Sequence, residues 1–225
     1  MDALGQRPAP PALRSYKTRK GRMAPAQHEA LARLLPSLGV PVDGTPIDPA
    51  ALFGRAAPLV LEIGSGTGEV TAALAAADPA RDVLAVEVHT PGVANLLRLA
   101  EAQGLRNVRV AEGDALVVLR DMLAPGSLEE VRVLFPDPWP KSRHHKRRLV
   151  SPGFAALVAQ RLAPGGRLHV ATDWAHYADQ VLQVVAADPE LAGGVVARPE
   201  RPVTRFEQRA LEAGRAVVDV VAVRR

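Results

Sequence analysis

The segment Phe135-Pro136-Asp137-Pro138-Trp139-Pro140 sets one carboxylate and one large aromatic in a proline-boxed corner, directly before Lys141, Arg143, His144, His145, Lys146, Arg147 and Arg148. Prolines on both sides limit backbone freedom and hold Asp137 in a set direction. A carboxylate held this way can accept hydrogen bonds from the N1–H and amino group of a guanine-like edge. Trp139 either stacks on such a base or walls its pocket. Lys141 and the run Arg143–Arg148 then reach phosphates. His144 and His145 are adjacent on a loop and bring no carboxylate, so they read as RNA contacts or surface and not as a metal pair. Together these residues point to chemistry on a base within a nucleic acid.

A second constellation suits a charged cofactor. Leu61-Glu62-Ile63-Gly64-Ser65-Gly66-Thr67-Gly68 lies where an apolar run meets an alanine-rich helix. Gly64 and Gly66 let the backbone turn sharply and approach a ligand closely. Glu87, at the end of the next apolar run, is placed to accept hydrogen bonds from both hydroxyls of a ribose. Asp114, in Gly113-Asp114-Ala115, is placed to meet an adenine amino group. Glu62 is costly inside an apolar strand unless it meets a cation or good donors. S-adenosylmethionine brings an ammonium and a sulfonium, whereas the pyrophosphate of NAD would meet repulsion from these carboxylates. The cofactor expected is therefore S-adenosylmethionine.

Two further motifs follow later strands. Ala171-Thr172-Asp173-Trp174 again sets an Asp beside an aromatic, with Asp173 as helix N-cap, substrate contact or both. Thr204-Arg205-Phe206-Glu207 has the Thr-to-Glu spacing of a capping box.

The elements that carry these residues alternate. Strands are expected at Leu59–Ile63, Val83–Val88, Val108–Ala111, Val131–Phe135 and Arg167–Ala171, with helices between them. Those helices run to about Ala77, over Pro91–Gln103, Leu116–Leu123 and Pro152–Leu162, and over Trp174–Ala187. Short apolar runs between longer helices imply parallel strands buried on both faces. Val195–Ala197, a helix near Arg205–Glu212 and Val217–Val223 are expected to close the sheet with an antiparallel edge. A short helix is expected at Gln27–Leu35, followed by a connector over Pro36–Phe53. The fold class is α/β, doubly wound and mostly parallel.

The whole chain sets outer bounds. With 225 residues and 48% hydrophobic content, it suits one domain, expected over residues 23–225. It contains no cysteine, which excludes disulfides, thiolate metal sites and a cysteine nucleophile. No apolar run approaches the roughly 18 residues of a membrane span, and no signal-peptide core is apparent, so a cytoplasmic protein without a membrane partner is expected. The net charge of +4 is unevenly distributed: residues 1–22 carry Arg7, Arg14, Lys17, Arg19, Lys20 and Arg22 against Asp2 alone. This segment reads as a basic flexible tail, and its charge with that of 141–148 marks a polyanion partner.

The chain resembles bacterial tRNA (guanine-N7-)-methyltransferases over nearly its whole length. The motif from Phe135 carries the resemblance, with Glu87-Val88-His89-Thr90-Pro91-Gly92-Val93, Ala171–Trp174, Thr204–Glu207 and the segment Arg14–Met23. It implies a seven-stranded, Rossmann-like methyltransferase sheet and a variable-loop guanine, at position 46 of tRNA, as target. On matching positions, Glu62, Glu87, Asp114 and Asp137 line the methyl-donor site, and Asp137 is the catalytic candidate. Lys141, Asp173, Thr204, Arg205, Phe206 and Glu207 hold substrate, and Arg143–Arg148 contact RNA. No metal is implied, and the protein is expected as a monomer or homodimer. A non-catalytic RNA-binding protein needs the basic clusters but not Glu62, Glu87 and Asp114 together. A methyltransferase for another base needs the acids but not the long basic motif.

Overall fold

Each apolar run becomes a strand, because consecutive Leu, Val, Ile and Ala residues are satisfied only where both faces of a sheet are covered. The computed structural model describes Tyr16 and residues 23–225. The expected basic tail, apart from Tyr16, lies outside the described residues. The chain runs α1 (Pro25–Leu38), β1 (Gly39–Val40), α2 (Pro49–Phe53), β2 (Leu59–Ile63), α3 (Glu69–Ala77), β3 (Asp82–Glu87), α4 (Thr90–Ala102), β4 (Val108–Glu112) and α5 (Ala115–Val117). It continues through β5 (Leu128–Leu134), a 3-10 turn (Ser142–Arg147), α6 (Pro152–Arg161), β6 (Leu162–Thr172), α7 (Ala175–Ala187), β7 (Leu191–Val196), α8 (Arg205–Glu212) and β8 (Val218–Arg224).

The strands form one sheet in the order β1-β4-β3-β2-β5-β6-β8-β7. Neighbours pair in parallel except at β8, which is antiparallel to both β6 and β7. This is the expected doubly wound sheet with an antiparallel end, β8 lying second from the edge. An eighth strand joins the seven expected. Gly39 and Val40 of β1 pair with Val110 and Ala111 of β4, a match too short to leave an apolar signature. From β2 the chain winds outward through β3 and β4, then crosses back to β5 and β6. The switch point therefore lies between β2 and β5, where loops at the carboxyl ends diverge and leave a crevice.

Helix ends follow local chemistry. Ser151 caps α6 by accepting from Phe154 N, and Pro152 fills the first turn, where a missing N–H costs nothing. Thr204 and Glu207 form the expected capping box of α8. The helix expected over Leu116–Leu123 departs: after Ala115–Val117 it widens into a π turn over Val118–Met122. There Leu123 N reaches back five residues to Val118 O at 3.1 Å.

Alternation along the strands divides the core. Leu59, Leu61 and Ile63 pack with α6 and α7, whereas Val60 packs with α1, α3 and α4. On β5, Val131 and Val133 face the first layer. Glu130 and Arg132 alternate with them, and both are buried. The register continues this polar row sideways, from Glu62 to Arg132 to His169 and from Glu130 to Arg167. Polar residues are stable there because they answer one another. Glu130 accepts from Arg132 Nε and Nη2 at 3.0 Å each, from Arg81 at 2.8 Å and from Arg167 at 3.1 Å.

Burial pushes the Glu130 carboxyl up, but Arg132 and then Arg167 outweigh it and hold the pKa down from 4.5 to about 2. A value lowered on folding contributes stability that is present above pH 4.5 and lost as pH falls toward 2. Glu130→Gln is expected to cost on the order of 2–3 kcal/mol at pH 7. In urea unfolding, the gap between variant and wild type should close across that acid window. A gap that stays constant down to pH 2 would show that Glu130 carries no linked charge.

Candidate methyl-transfer site

The glycine loop between β2 and α3 holds Gly64, Gly66 and Gly68 at φ of 80°, 58° and 79°. A Cβ at Gly64 or Gly66 would meet nothing within 4 Å, so the glycines serve the backbone turn and leave open space above it. Behind the loop, a Cβ on Gly92 would lie 2.0 Å from Gly66 O. The start of α4 therefore presses directly on the loop. Glu87, at the end of β3, fixes the loop further: Oε2 accepts from Gly66 N at 2.7 Å, and Oε1 from Val88 N at 2.7 Å and His89 N at 2.9 Å. Three backbone donors thus already occupy the carboxylate expected on a ribose, and Oε2 keeps room for a further donor. Asn95 Nδ2 adds a bond to Thr67 O at 2.6 Å. Asp114 caps α5 by accepting from Leu116 N at 2.9 Å.

Glu62 is 3% exposed. Its Oε1 accepts from Thr71 Oγ1 at 2.9 Å, while Oε2 is buried with no donor among the described residues. Burial pushes this carboxyl up, Arg132 and Thr71 oppose the push, and Glu130 and Glu87 add to it. Ser65 Oγ is likewise buried without a partner. An unanswered buried carboxylate oxygen is destabilising until a donor reaches it. This pair of open acceptors, under a cradle of bare glycines, fits a ligand that brings N–H donors and positive charge.

Across the switch point, β5 runs into the proline-boxed corner. Phe135 and Trp139 have φ of 55° and 44°. For bulky residues this costs roughly 1–3 kcal/mol each and persists only where the surroundings enforce it. Phe135 N donates to Ala171 O at 2.8 Å, and the Arg201 guanidinium lies 5.7 Å from the Phe135 ring centre. Trp139 is 5% exposed, with Arg147 at 5.0 Å over its ring and His144 edge-on at 5.8 Å. Of the two sequence readings, Trp139 takes the wall. Asp137, between the two strained residues, is exposed.

The basic run divides. Lys141, Arg143 and Lys146 are exposed, and His144, His145 and Arg147 are half-buried. The His145 ring lies against that of His176 at 4.8 Å. Arg148 corrects the expectation of an exposed RNA contact. It is 3% exposed and turned inward, with Nε donating to Pro138 O at 2.9 Å and Nη1 to Gln180 Oε1 at 2.8 Å. Its cation lies over the Tyr177 ring at 4.8 Å. An arginine in this position braces the Asp137 corner against α7.

Asp173 does not cap α7, whose cap residue is Trp174. Its Oδ2 accepts from Arg215 Nε at 2.8 Å. Glu207 also departs from the expected substrate contact. It is buried, and its carboxylate is taken by Arg198 Nε at 2.6 Å, by Arg201 and by the capping bond to Thr204 N. Arg201 continues the network to Asp219, which accepts also from His169 Nε2 at 2.7 Å. Burial pushes the Glu207 and Asp219 carboxyls up, but Arg198 and Arg201 at Glu207, and the His169 hydrogen bond and Arg201 at Asp219, win and hold both low. Arg205 and Phe206 stay outside: Phe206 is 55% exposed, and Arg205 reaches Glu69 Oε1 at 2.7 Å. That contact brings the start of α8 to the start of α3. Arg201 and Arg215 had no sequence signal, because each sits in a segment without periodicity or motif.

The glycine loop, the Asp137 corner and the start of α8 thus share one edge of the sheet. Residues 56–220 match the sequence family described as "Putative methyltransferase". The chain is 55% identical over 216 residues to the tRNA (guanine-N(7)-)-methyltransferase of Streptomyces coelicolor, covering 93% of this chain and 80% of that protein. It is 50% identical over 213 residues to the protein of the same name from Nitrosospira multiformis, covering 93% of each. Among solved structures, the 16S rRNA methyltransferase KamB shares the fold, with a TM-score of 0.56 at 22% identity over 77% of this chain and 93% of that one. Identity at this level, over most of the length of proteins that share one name, means that the chain belongs to the tRNA (guanine-N(7)-)-methyltransferase family.

Proposed function

We propose that the protein transfers the methyl group of S-adenosyl-L-methionine to N7 of a guanine in tRNA, and that the target is the variable-loop guanine at position 46. Residues 23–225 act as the methyltransferase unit, residues 1–22 serve as a basic tail toward the RNA, and the cytoplasm is the place of action. One observation carries the reading. The buried Glu62, with an unanswered oxygen, lies near the carboxyl end of β2, and the exposed Asp137 follows β5, its neighbour across the switch point. This adjacency supports a cation-seeking site and a base-seeking site at one switch point.

Glu62, Ser65, Gly64, Gly66, Glu87 and Asp114 would hold the donor. S-adenosylmethionine supplies a methyl group activated by a positive sulfur. Guanine N7 has a free lone pair, so no side chain needs to remove a proton before the transfer. Asp137 orients the guanine edge and stabilises the positive charge that grows on the ring. Its proline-boxed backbone keeps this geometry before RNA arrives, which is where most acceleration of an in-line transfer originates. Lys141, Arg143 and Lys146, on the exposed turn beside it, seat the phosphates. N7 faces the major groove, so the base does not need to leave its stack as fully as one modified on its pairing edge.

The primary test is transfer of labelled methyl from S-adenosylmethionine to unmodified tRNA, with the product mapped by cleavage at 7-methylguanosine. Label at one variable-loop guanine is expected. Asp137→Ala should lower kcat/KM by roughly a hundred-fold, as for loss of one preorganised electrostatic contact. Because phosphate contacts carry affinity, tRNA binding should change much less. Label at another base would discard the position, and tight tRNA binding without transfer would favour a non-catalytic RNA-binding role.

Glu62→Gln is expected to weaken S-adenosylmethionine binding by about ten-fold, the scale of one charge-assisted hydrogen bond, as measured by calorimetry. In the wild type, donor affinity should fall as pH drops through the raised Glu62 pKa, because the neutral carboxyl no longer attracts a cation. The Gln variant should lose that pH dependence. Equal slopes in both proteins would remove Glu62 from the donor site.

A further inference from the structure

A cavity of about 290 Å³ opens at the start of α6, lined among others by Arg120, Lys146, Arg147, Arg148, Ser151 and Gly153. Its apolar wall is Leu116, Phe154 and Leu157, which belong to the core under α6 and α7. Glu62 points to the opposite face of the sheet, toward Thr71 of α3. The cavity is therefore separate from the donor cleft, although α6 begins just after the Asp137 corner.

Three features of the cavity select an anion. Among the described residues, four cationic side chains line it and no carboxylate does. Arg120 is engaged at its outer end by Asp121 at 2.6 Å, but that pair is exposed and therefore weak. The helix start adds a donor. Phe154 N is taken by Ser151 Oγ and Ala155 N by Ser151 O, and Pro152 has no N–H. That leaves Gly153 N in the first turn with no hydrogen-bond partner among the described residues. Most telling, Arg148 is 3% exposed and its Nη2 is buried with no hydrogen-bond partner. Arg148 lines the cavity, so a small shift of its guanidinium would bring this open nitrogen to an acceptor that enters.

We propose that this cavity binds a phosphodiester of the RNA backbone. This rests on the tRNA reading and extends it from the exposed basic turn to Arg120 and the start of α6. The position also gives Arg148 two roles. Its Nε holds Pro138 O, next to Asp137, while Nη2 meets the phosphate. Seating of the backbone is thereby transmitted to the base-orienting corner through one rigid, planar group.

The test uses the full chain, with tRNA binding measured across a salt series and melting measured in parallel. Gly153 is exposed, and a Cβ there would meet nothing within 4 Å. Gly153→Glu places a negative charge where a helix start favours one, so the melting temperature should hold or rise. Binding of tRNA should nevertheless weaken by about ten-fold, because the same charge repels a phosphate. Arg120→Gln should weaken binding and reduce the slope of log affinity against log salt by about 0.7–0.9, one phosphate contact. A purely structural role would not make stability and binding move apart in this way. If both variants bind tRNA with wild-type affinity and slope, the cavity proposal is overturned while the tRNA reading stands. If inorganic phosphate raises the melting temperature of the wild type but not of Gly153→Glu, and tRNA affinities are equal, the site takes a free anion and the RNA assignment fails. Wild-type protein that does not bind tRNA at all would overturn the tRNA reading and this extension with it.

Discussion

Holding a carboxylate ready for a cation inside a β-sheet imposes costs on every strand around it. Glu62 cannot be neutralised permanently by an adjacent arginine, or nothing would remain to attract a ligand. It cannot be isolated either, because burial alone would leave it protonated. The fold balances the two by distance, and burial still leaves the Glu62 pKa raised. Arg132 stands one strand away in the same row and opposes the desolvation of Glu62, while its own hydrogen bonds go to Glu130. Glu130 in turn is answered by Arg81 and Arg167. The charged row on β5 and β6 is thus the electrostatic support of Glu62 and not an accident of an incompletely covered sheet.

A comparable logic governs the strained corner. Two residues in a disfavoured backbone region flank Asp137, and each is clamped from a different direction. Phe135 is tied to β6 through Ala171, and Trp139 is packed under Arg147 and His144. Arg148 secures the peptide between Asp137 and Trp139 from below. Arg201 lies over Phe135 and also binds Glu207 and Asp219, so the corner and the start of α8 share one brace. Arginine suits these positions because it combines a permanent charge, several donors and a flat stacking face.

How much of this could be read from the sequence depended on whether the signal was local. The bounds of β2 and α8 were legible to the residue, because glycines end one and a capping box opens the other. β1 and α2 were not, since two and five residues are too few to show a period. The residues at the strand ends stood out as motifs, and the sheet order brings them to one edge. A motif does not say which way a side chain points, however. In a run of six basic or imidazole residues nothing local distinguishes Arg148, which turns inward because Gln180 and Tyr177 of α7 await it. Glu207 reads as part of a surface motif, yet two arginines from an unpatterned segment draw it into the interior. Long-range pairing of this sort is written in the tertiary packing and has no period to detect.

Arginine supplies nearly all the positive charge of this protein. Lysines occur in the sequence at positions 17, 20, 141 and 146, so the described residues carry only Lys141 and Lys146. Lys141 opens the exposed basic turn and Lys146 lies within it, whereas the buried networks are built from guanidinium groups, which are poor nucleophiles. Among the described side chains, an amine-directed reagent therefore finds its targets on a single surface, beside the Asp137 corner. That turn carries a chemical address of its own, through which a cross-linker, a fluorophore or an acetyl group would reach this one face and leave the interior untouched.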